Sequence, residues 1–199
     1  SKIISDADIK EIKILKKIAK KKNLDLLTVG FNTKSTINIT KIKKIENFKI
    51  VEFVFKNKTY RFKTDLFGNF QIKNILMACL GSIVCGIKIK NIIKIIYKIK
   101  APPGRLEMVK KLPFKSEVVI DFAHTPHALE MSLKSLREDF AKDISIVFGC
   151  GGDRDKQKRS VMGKIANKYC NRIYVTDDNP RFENPKLIRK AIMTSCKLK

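Results

Sequence analysis

Tryptophan is missing from these 199 residues, histidine occurs only as His124 and His127, and arginine supplies 8 of the 43 basic side chains. Surfaces that bind nucleic acid cluster arginine among aromatic rings, so the shortage argues against a base-stacking platform. The five cysteines, Cys79, Cys85, Cys150, Cys170 and Cys196, are odd in number and form no Cys-x-x-Cys pair. A disulfide framework is therefore not the organising device, and a reducing, cytoplasmic setting is expected. Neither histidine has a cysteine pair at zinc-ligand spacing, so no metal ligand is assigned. Apolar runs stay well short of the ~18 residues of a membrane-spanning helix, because lysines interrupt every isoleucine-rich stretch. Also missing are a secretory leader and an initial methionine. Ser1 falls in mid-pattern, so the chain is expected to be a piece of a longer one.

What is present points to a packed, soluble α/β protein. Hydrophobic residues make up 44% and charged residues 31%, enough apolar surface to offset the entropy of folding. At roughly 100–200 residues per domain the length allows one domain or two small ones. The net charge is +24, with 26 basic and 8 acidic residues up to Leu112 and 17 and 11 beyond it. Lysine dominates and is spread along helices, which suits solvated faces. A polyanion-binding surface stays open as the second reading, and phosphate-bearing small molecules would be drawn to either.

Apolar spacing predicts a helix over Asp6–Lys22 and a buried strand over Leu24–Val29 closed by Gly30. A hairpin is expected from Lys49–Phe55 and Thr59–Lys63 around Asn57-Lys58. Helices follow over Phe70–Val84 and Ile87–Lys100, the second stopped at Ala101-Pro102-Pro103-Gly104, because proline cannot donate the helical hydrogen bond. Beyond that boundary strands and helices alternate at about 25–30 residues: Val118–Phe122, Pro126–Asp139, Ile144–Phe148, Arg159–Tyr169, Arg172–Thr176, then a helix opened by Asn184-Pro185. This rhythm predicts a three-layer α/β domain on a parallel sheet, still incomplete at the last residue, preceded by the closing portion of a different α/β domain.

Ligands of a parallel sheet sit beyond the carboxyl ends of its strands. Three such ends carry unusual residues: Asp121-Phe122-Ala123-His124-Thr125-Pro126, Gly149-Cys150-Gly151-Gly152-Asp153-Arg154-Asp155, and Asp177-Asp178-Asn179-Pro180-Arg181. Each also has a plain reading, Asp121 as a turn cap, Gly149–Gly152 as a tight turn or anion nest, and Asp178–Arg181 as an Asx turn. The glycines fit neither a Walker loop nor the Gly-x-Gly-x-x-Gly fingerprint. Arg154 and Arg181, however, fall at neighbouring strand ends, and two guanidinium groups clamp carboxylates in a bidentate geometry that lysine cannot reproduce. An Asp and an Asn beside them suit an ammonium group, so the pocket fits a zwitterionic amino acid.

Asp-Phe-Ala-His-Thr-Pro-His-Ala-Leu, Val-Phe-Gly-Cys-Gly-Gly-Asp-Arg-Asp-Lys-Gln-Lys-Arg and Thr-Asp-Asp-Asn-Pro-Arg, in that order and spacing, resemble the C-terminal domain of the Mur ligases. Pro102-Pro103-Gly104-Arg105-Leu106-Glu107 and the stretch Gly68–Ala78 resemble the end of the family's central domain. The likeness is strongest from Gly68 to Pro185 and weak over residues 1–65, and within the family it is to the diaminopimelate-adding, MurE-type branch. The resemblance implies the C-terminal part of a central ATP-binding α/β domain over residues 1–103. An incomplete, Rossmann-like parallel-sheet domain follows over 104–199. It further implies ATP-dependent amide formation in cytoplasmic peptidoglycan precursor synthesis. A substrate carboxylate becomes an acyl phosphate, which the incoming amine attacks, with ATP and Mg2+ as cofactors. The substrates implied are UDP-N-acetylmuramoyl-dipeptide and meso-diaminopimelate, with no nucleic acid, no membrane and a monomeric state.

By motif, the resemblance places Asn74, Arg105, Asp121 and His124 at ATP: Asn74 at the adenine, Arg105 at the phosphates, Asp121 at the ribose and domain hinge, His124 beside it. Arg154, Asp178, Asn179, Pro180 and Arg181 fall at meso-diaminopimelate, whose second carboxylate gives an arginine its purpose. No residue is assigned as catalytic. Gln71 stands where the family often has Asn, and His127 where it often has Asp. The family's phosphate-binding loop, carbamylated lysine, N-terminal UDP-binding domain and far C-terminal segment have no counterpart here. Two alternatives are weighed: another Mur or folylpolyglutamate synthetase-like ligase, which the Asp-Asn-Pro-Arg run opposes, and a basic nucleic-acid-binding module, which rests on charge alone.

Overall fold

Short apolar strands separated by lysine-faced helices build two units, Ser1–Ala101 and the residues from Pro102 onward. They are seen in a computed structural model that describes residues 1–46, 48–114, 116–140 and 143–196. The expected C-terminal domain thus reaches into residues 115, 141–142 and 197–199, which lie outside the described set.

In the first unit, β1 (Lys2–Asp6), β2 (Asp25–Gly30), β3 (Ile37–Ile45), β4 (Phe48–Phe55) and β5 (Lys58–Thr64) form one sheet in sequence order. β1, β2 and β3 run parallel, and β4 and β5 complete it antiparallel. The β4–β5 turn falls at Lys56 and Asn57, both at positive φ (49° and 58°), the left-handed pair that matches the twist of a two-residue hairpin. Helix α2 (Asn69–Val84) buries Ile72, Ile75, Leu76, Cys79 and Leu80 against Val29, Ile37, Ile39, Val51, Phe53 and Phe62. Helix α1 (Ile12–Lys21) starts later than its apolar spacing predicts. Asp6 ends β1 instead, where its carboxylate accepts from the Asp8 N–H at 2.8 Å and makes a turn. Helix α3 (Ile89–Ile95) passes into a single 3-10 turn at Ile96–Lys98 before the prolines.

In the second unit, β6 (Glu107–Lys111) pairs antiparallel with β7 (Glu117–Ile120), while β8 (Ser145–Phe148) and β9 (Arg172–Val175) pair parallel. Helices α4 (Pro126–Phe140), α5 (Gln157–Tyr169) and α6 (Pro185–Met193) follow β7, β8 and β9 in turn. Their residues Leu129, Leu133, Met162, Ile165, Ile188 and Ile192 pack with Ile146, Phe148, Ile173 and Val175. The alternate residues of the same strands, Val147 and Tyr174, are exposed. Among the described residues, then, helices cover one face of the β8–β9 pair rather than the two that a three-layer arrangement requires. Asn184 caps α6 as its sequence predicts, its Oδ1 accepting from the Lys186 N–H at 2.9 Å, with Pro185 in the first turn.

Candidate active site

The turn that opens the second unit is built around two carboxylates. Gly104 takes φ 68°, and a Cβ placed on it would lie 2.4 Å from the Phe122 ring, so only glycine fits. Glu107 Oε2 accepts from the Gly104 N–H at 2.7 Å, and the Gly104 carbonyl accepts from the Phe122 N–H at 2.7 Å. Asp121, just past β7, accepts three times: from Leu106 N–H at 2.8 Å, from Ala123 N–H at 2.9 Å and from the Ser132 hydroxyl at 3.0 Å. It therefore caps its own turn and at the same time ties β7 to the β6 entry and to α4. Of about four lone-pair positions on a carboxylate, three face the protein's own donors.

This turn and the loop after β8 enclose an open cleft of about 470 Å³ lined by Arg105, Asp121, His124, the Gly149–Gly151 loop, Lys158 and Asp178. Arg105 sets its guanidinium 5.8 Å from the centroid of the Phe122 ring. His124 Nδ1 lies 3.0 Å from the Phe122 carbonyl; a carbonyl only accepts, so Nδ1 carries the proton and Nε2 keeps a free lone pair in the neutral ring. Lys158, on α5, reaches across to donate to the His124 carbonyl at 2.9 Å. Cys150 also lines the cleft, but burial pushes its thiol pKa up, so it stays protonated and serves as packing against Met162 rather than as a nucleophile.

The loops after β8 and β9 interlock. Gly152 donates to the Asn179 carbonyl at 2.9 Å, and Arg181 Nη1 donates to the Gly152 carbonyl at 2.7 Å. A Cβ on Gly152 would meet the Pro180 carbonyl oxygen at 1.8 Å, so the approach of the two backbones requires glycine. Asp178 Oδ1 accepts from Asn179 N–H at 2.7 Å and Asn179 Oδ1 from Arg181 N–H at 3.3 Å, the Asx turn left open by the sequence. Arg154 and Arg181 are both exposed, on these two adjoining loops. The side chain that joins the loops is one the sequence reading passed over. Arg159, only 3% exposed, pairs with Glu183 through two bonds, Nη1 to Oε2 at 2.9 Å and Nη2 to Oε1 at 2.8 Å. That pairing, helped by the Asp153 N–H, holds the Glu183 carboxyl down at about 2. Its only trace in the sequence is the position of each partner, an Arg in the first turn of a predicted helix and a Glu just before another.

Asn74 belongs to the first unit, on α2, where its side-chain amide donates to Gln71 Oε1 at 3.3 Å. Its neighbour Lys73 pairs with Asp6 Oδ1 at 2.9 Å and Asp8 Oδ2 at 2.6 Å, at the carboxyl ends of β1 and β2, a cluster that the sequence reading also missed. Among the described residues no group of three His, Cys, Asp or Glu side chains is placed to hold a metal ion, and no helix is long and apolar enough to cross a membrane.

Residues 1–81 match the model of the Mur ligase middle domain, and residues 104–198 that of the Mur ligase, glutamate ligase domain. The UDP-N-acetylmuramoyl-L-alanyl-D-glutamate–2,6-diaminopimelate ligase of Rickettsia typhi is 40% identical over 192 residues, 96% of this chain and 38% of the relative. The protein of the same name from Rhizobium meliloti is 37% identical over 182 residues, 90% of this chain and 37% of the relative. A solved structure bearing that enzyme name aligns at TM-score 0.63 and 25% identity, over 99% of this chain and 41% of that one. Mycobacterium tuberculosis folylpolyglutamate synthase complexed with ADP aligns at TM-score 0.73 and 18% identity, over 92% of this chain and 40% of that one, a likeness of fold. The chain thus spans about two-fifths of the length of the relatives it matches.

Proposed function

The chain belongs to the Mur ligase family, and from that premise we propose that it is part of a ligase joining meso-2,6-diaminopimelate to UDP-N-acetylmuramoyl-L-alanyl-D-glutamate with cleavage of ATP. ATP supplies the phosphoryl group that activates the acceptor carboxylate. The observation that carries this reading is the shared cleft: Arg105, Asp121 and His124, expected at the nucleotide, line it together with Asp178, the first residue of the Asp-Asn-Pro-Arg run.

Arg105 and Lys158 bring two positive charges to a lining that also holds the Asp121 and Asp178 carboxylates, and those two cations are the groups suited to a polyphosphate. The Arg105 guanidinium lies over the Phe122 ring, and Lys158 adds a second positive charge while fixing the His124 loop to α5. Asn74, on the first unit, is the proposed adenine contact, reading its edge with an amide that already has Gln71 as a neighbour. Asp121 acts mainly as the residue that holds the hinge turn, leaving one lone-pair position for a ribose hydroxyl. Arg154 and Arg181, which do not themselves line the cleft, are assigned to the two carboxylates of the diaminopimelate, and Asp178 and Asn179 to its ammonium group. Magnesium is expected with the nucleotide, but the described residues do not by themselves form its ligand set.

Arg181→Ala in the full-length ligase tests this. Loss of a charge-assisted bond is worth about 1.5–3 kcal/mol, so KM for diaminopimelate should rise roughly 10- to 150-fold while KM for ATP stays near its starting value. Equal loss for both substrates would remove Arg181 from the amino-acid site.

A further inference from the structure

Arg154 and Arg181 come from different strand ends, and a left-handed backbone position lies beside the first and at the second. Asp153, next to Arg154, has φ 51°, and Arg181 itself has φ 50°, the left-handed region that side-chain-bearing residues rarely adopt. Such conformations persist only where the surroundings over-determine them. Here the surroundings are the bonds between the two loops described above and one ion pair whose arginine is buried. Glu183, two residues past Arg181, accepts from the strained Asp153 N–H at 2.7 Å with the same Oε1 that accepts from Arg159 at 2.8 Å. Arg159 Nη2 also approaches the Gly151 carbonyl at 3.3 Å. The return contact runs from Phe182 N–H to Asp153 Oδ2 at 3.2 Å. The Lys156 ammonium, 3.6 Å from Glu183 Oε2, is the other charge facing the carboxylate.

We propose that Arg159 and Glu183 are the positioning pair of the amino-acid site. Their ion pair locks the loop bearing Arg181 onto the loop bearing Arg154, so that both guanidinium groups are presented together to a substrate with two carboxylates. This rests on the reading of the site given above. Neither residue touches the substrate; they act through the register of the two loops. A planar guanidinium bound by two parallel bonds fixes that register in a way that a lysine at the same place would not.

The test is a double-mutant cycle in the full-length ligase with Glu183→Gln and Arg181→Ala, singly and together, reading KM for diaminopimelate, KM for ATP and the thermal midpoint. Glu183→Gln should raise KM for diaminopimelate about tenfold and leave KM for ATP within about twofold, and Arg181→Ala should then cost much less than it does in the unaltered protein. Should Glu183→Gln fail to fold, Glu183→Asp, which keeps the charge on a shorter arm, enters the same cycle with the same expectation. Strictly additive effects, or equal losses toward both substrates, overturn the proposal by making the pair a general stabiliser. An unchanged KM for diaminopimelate in Arg181→Ala alone would instead overturn the reading of the site, and this proposal with it.

Discussion

Asp121 and Glu183 show how single carboxylates organise this chain. Asp121 accepts from two backbone N–H groups and the Ser132 hydroxyl, and Glu183 from one backbone N–H and the Arg159 guanidinium, so each converts a loop into a fixed surface. Glu183 also makes stability depend on pH in a defined direction. The Arg159 guanidinium, first, and the Asp153 N–H hold its pKa at about 2, below the ordinary 4.5. A carboxyl whose folded value is lowered stabilises fully above its unfolded value and loses that contribution as pH falls toward the folded one. The stability gap between the natural protein and Glu183→Gln, read by denaturant titration, should therefore be constant above about pH 5, narrow between about 4.5 and 2, and close near 2. A gap that persists unchanged at pH 2 would show that the carboxylate charge is not its source. The Arg159–Glu183 partnership was illegible beforehand because its members stand 24 residues apart and neither belongs to a motif that announces pairing.

At the scale of elements, strong periodicity was readable and weak periodicity was not. Helices α2, α4 and α5 and strands β2, β8 and β9 lie where their apolar patterns place them, to within a few residues. Strand β3 was missed because only Ile37 and Ile39 are buried in it; the rest, Lys41 to Ile45, runs along β4 with its lysines in solvent and shows no alternation. Strand β6 was missed for the same reason, since Val109, Lys110 and Lys111 are all exposed. Strand β1 went unpredicted, because Lys2–Ser5 precede the predicted first helix and are too short a run to show alternation. The start of α6 was legible to the residue, since Asn184 and Pro185 carry opposite halves of one cap. Asn184→Ala should lower stability by about 1 kcal/mol in chemical denaturation. No change would mean that tertiary packing of Ile188 and Ile192 alone sets where this helix begins.

Across the whole molecule the excess of 43 basic over 19 acidic residues is a background against which a few charges carry the chemistry. The nucleotide and amino-acid contacts proposed here leave out the phosphate-binding loop, for no Gly-x-x-x-x-Gly-Lys-Ser/Thr run occurs in these 199 residues. The chain as given, supplied with ATP, magnesium, diaminopimelate and the UDP-linked dipeptide, should release no phosphate above background; measurable ligation would overturn that. By itself the sequence determined the alternation of elements, the boundary at Pro102-Pro103 and the three loops that carry the candidate site, because periodicity, proline and glycine act locally and leave a mark where they act. Only the tertiary structure decided that the loops after β8 and β9 interlock through Arg159 and Glu183, that Asp121 is largely occupied by its own chain, and that Lys158 bridges to His124. Those contacts join residues that are far apart in the chain, and a hydrogen bond between distant groups depends on where the backbone brings them, which no local pattern encodes.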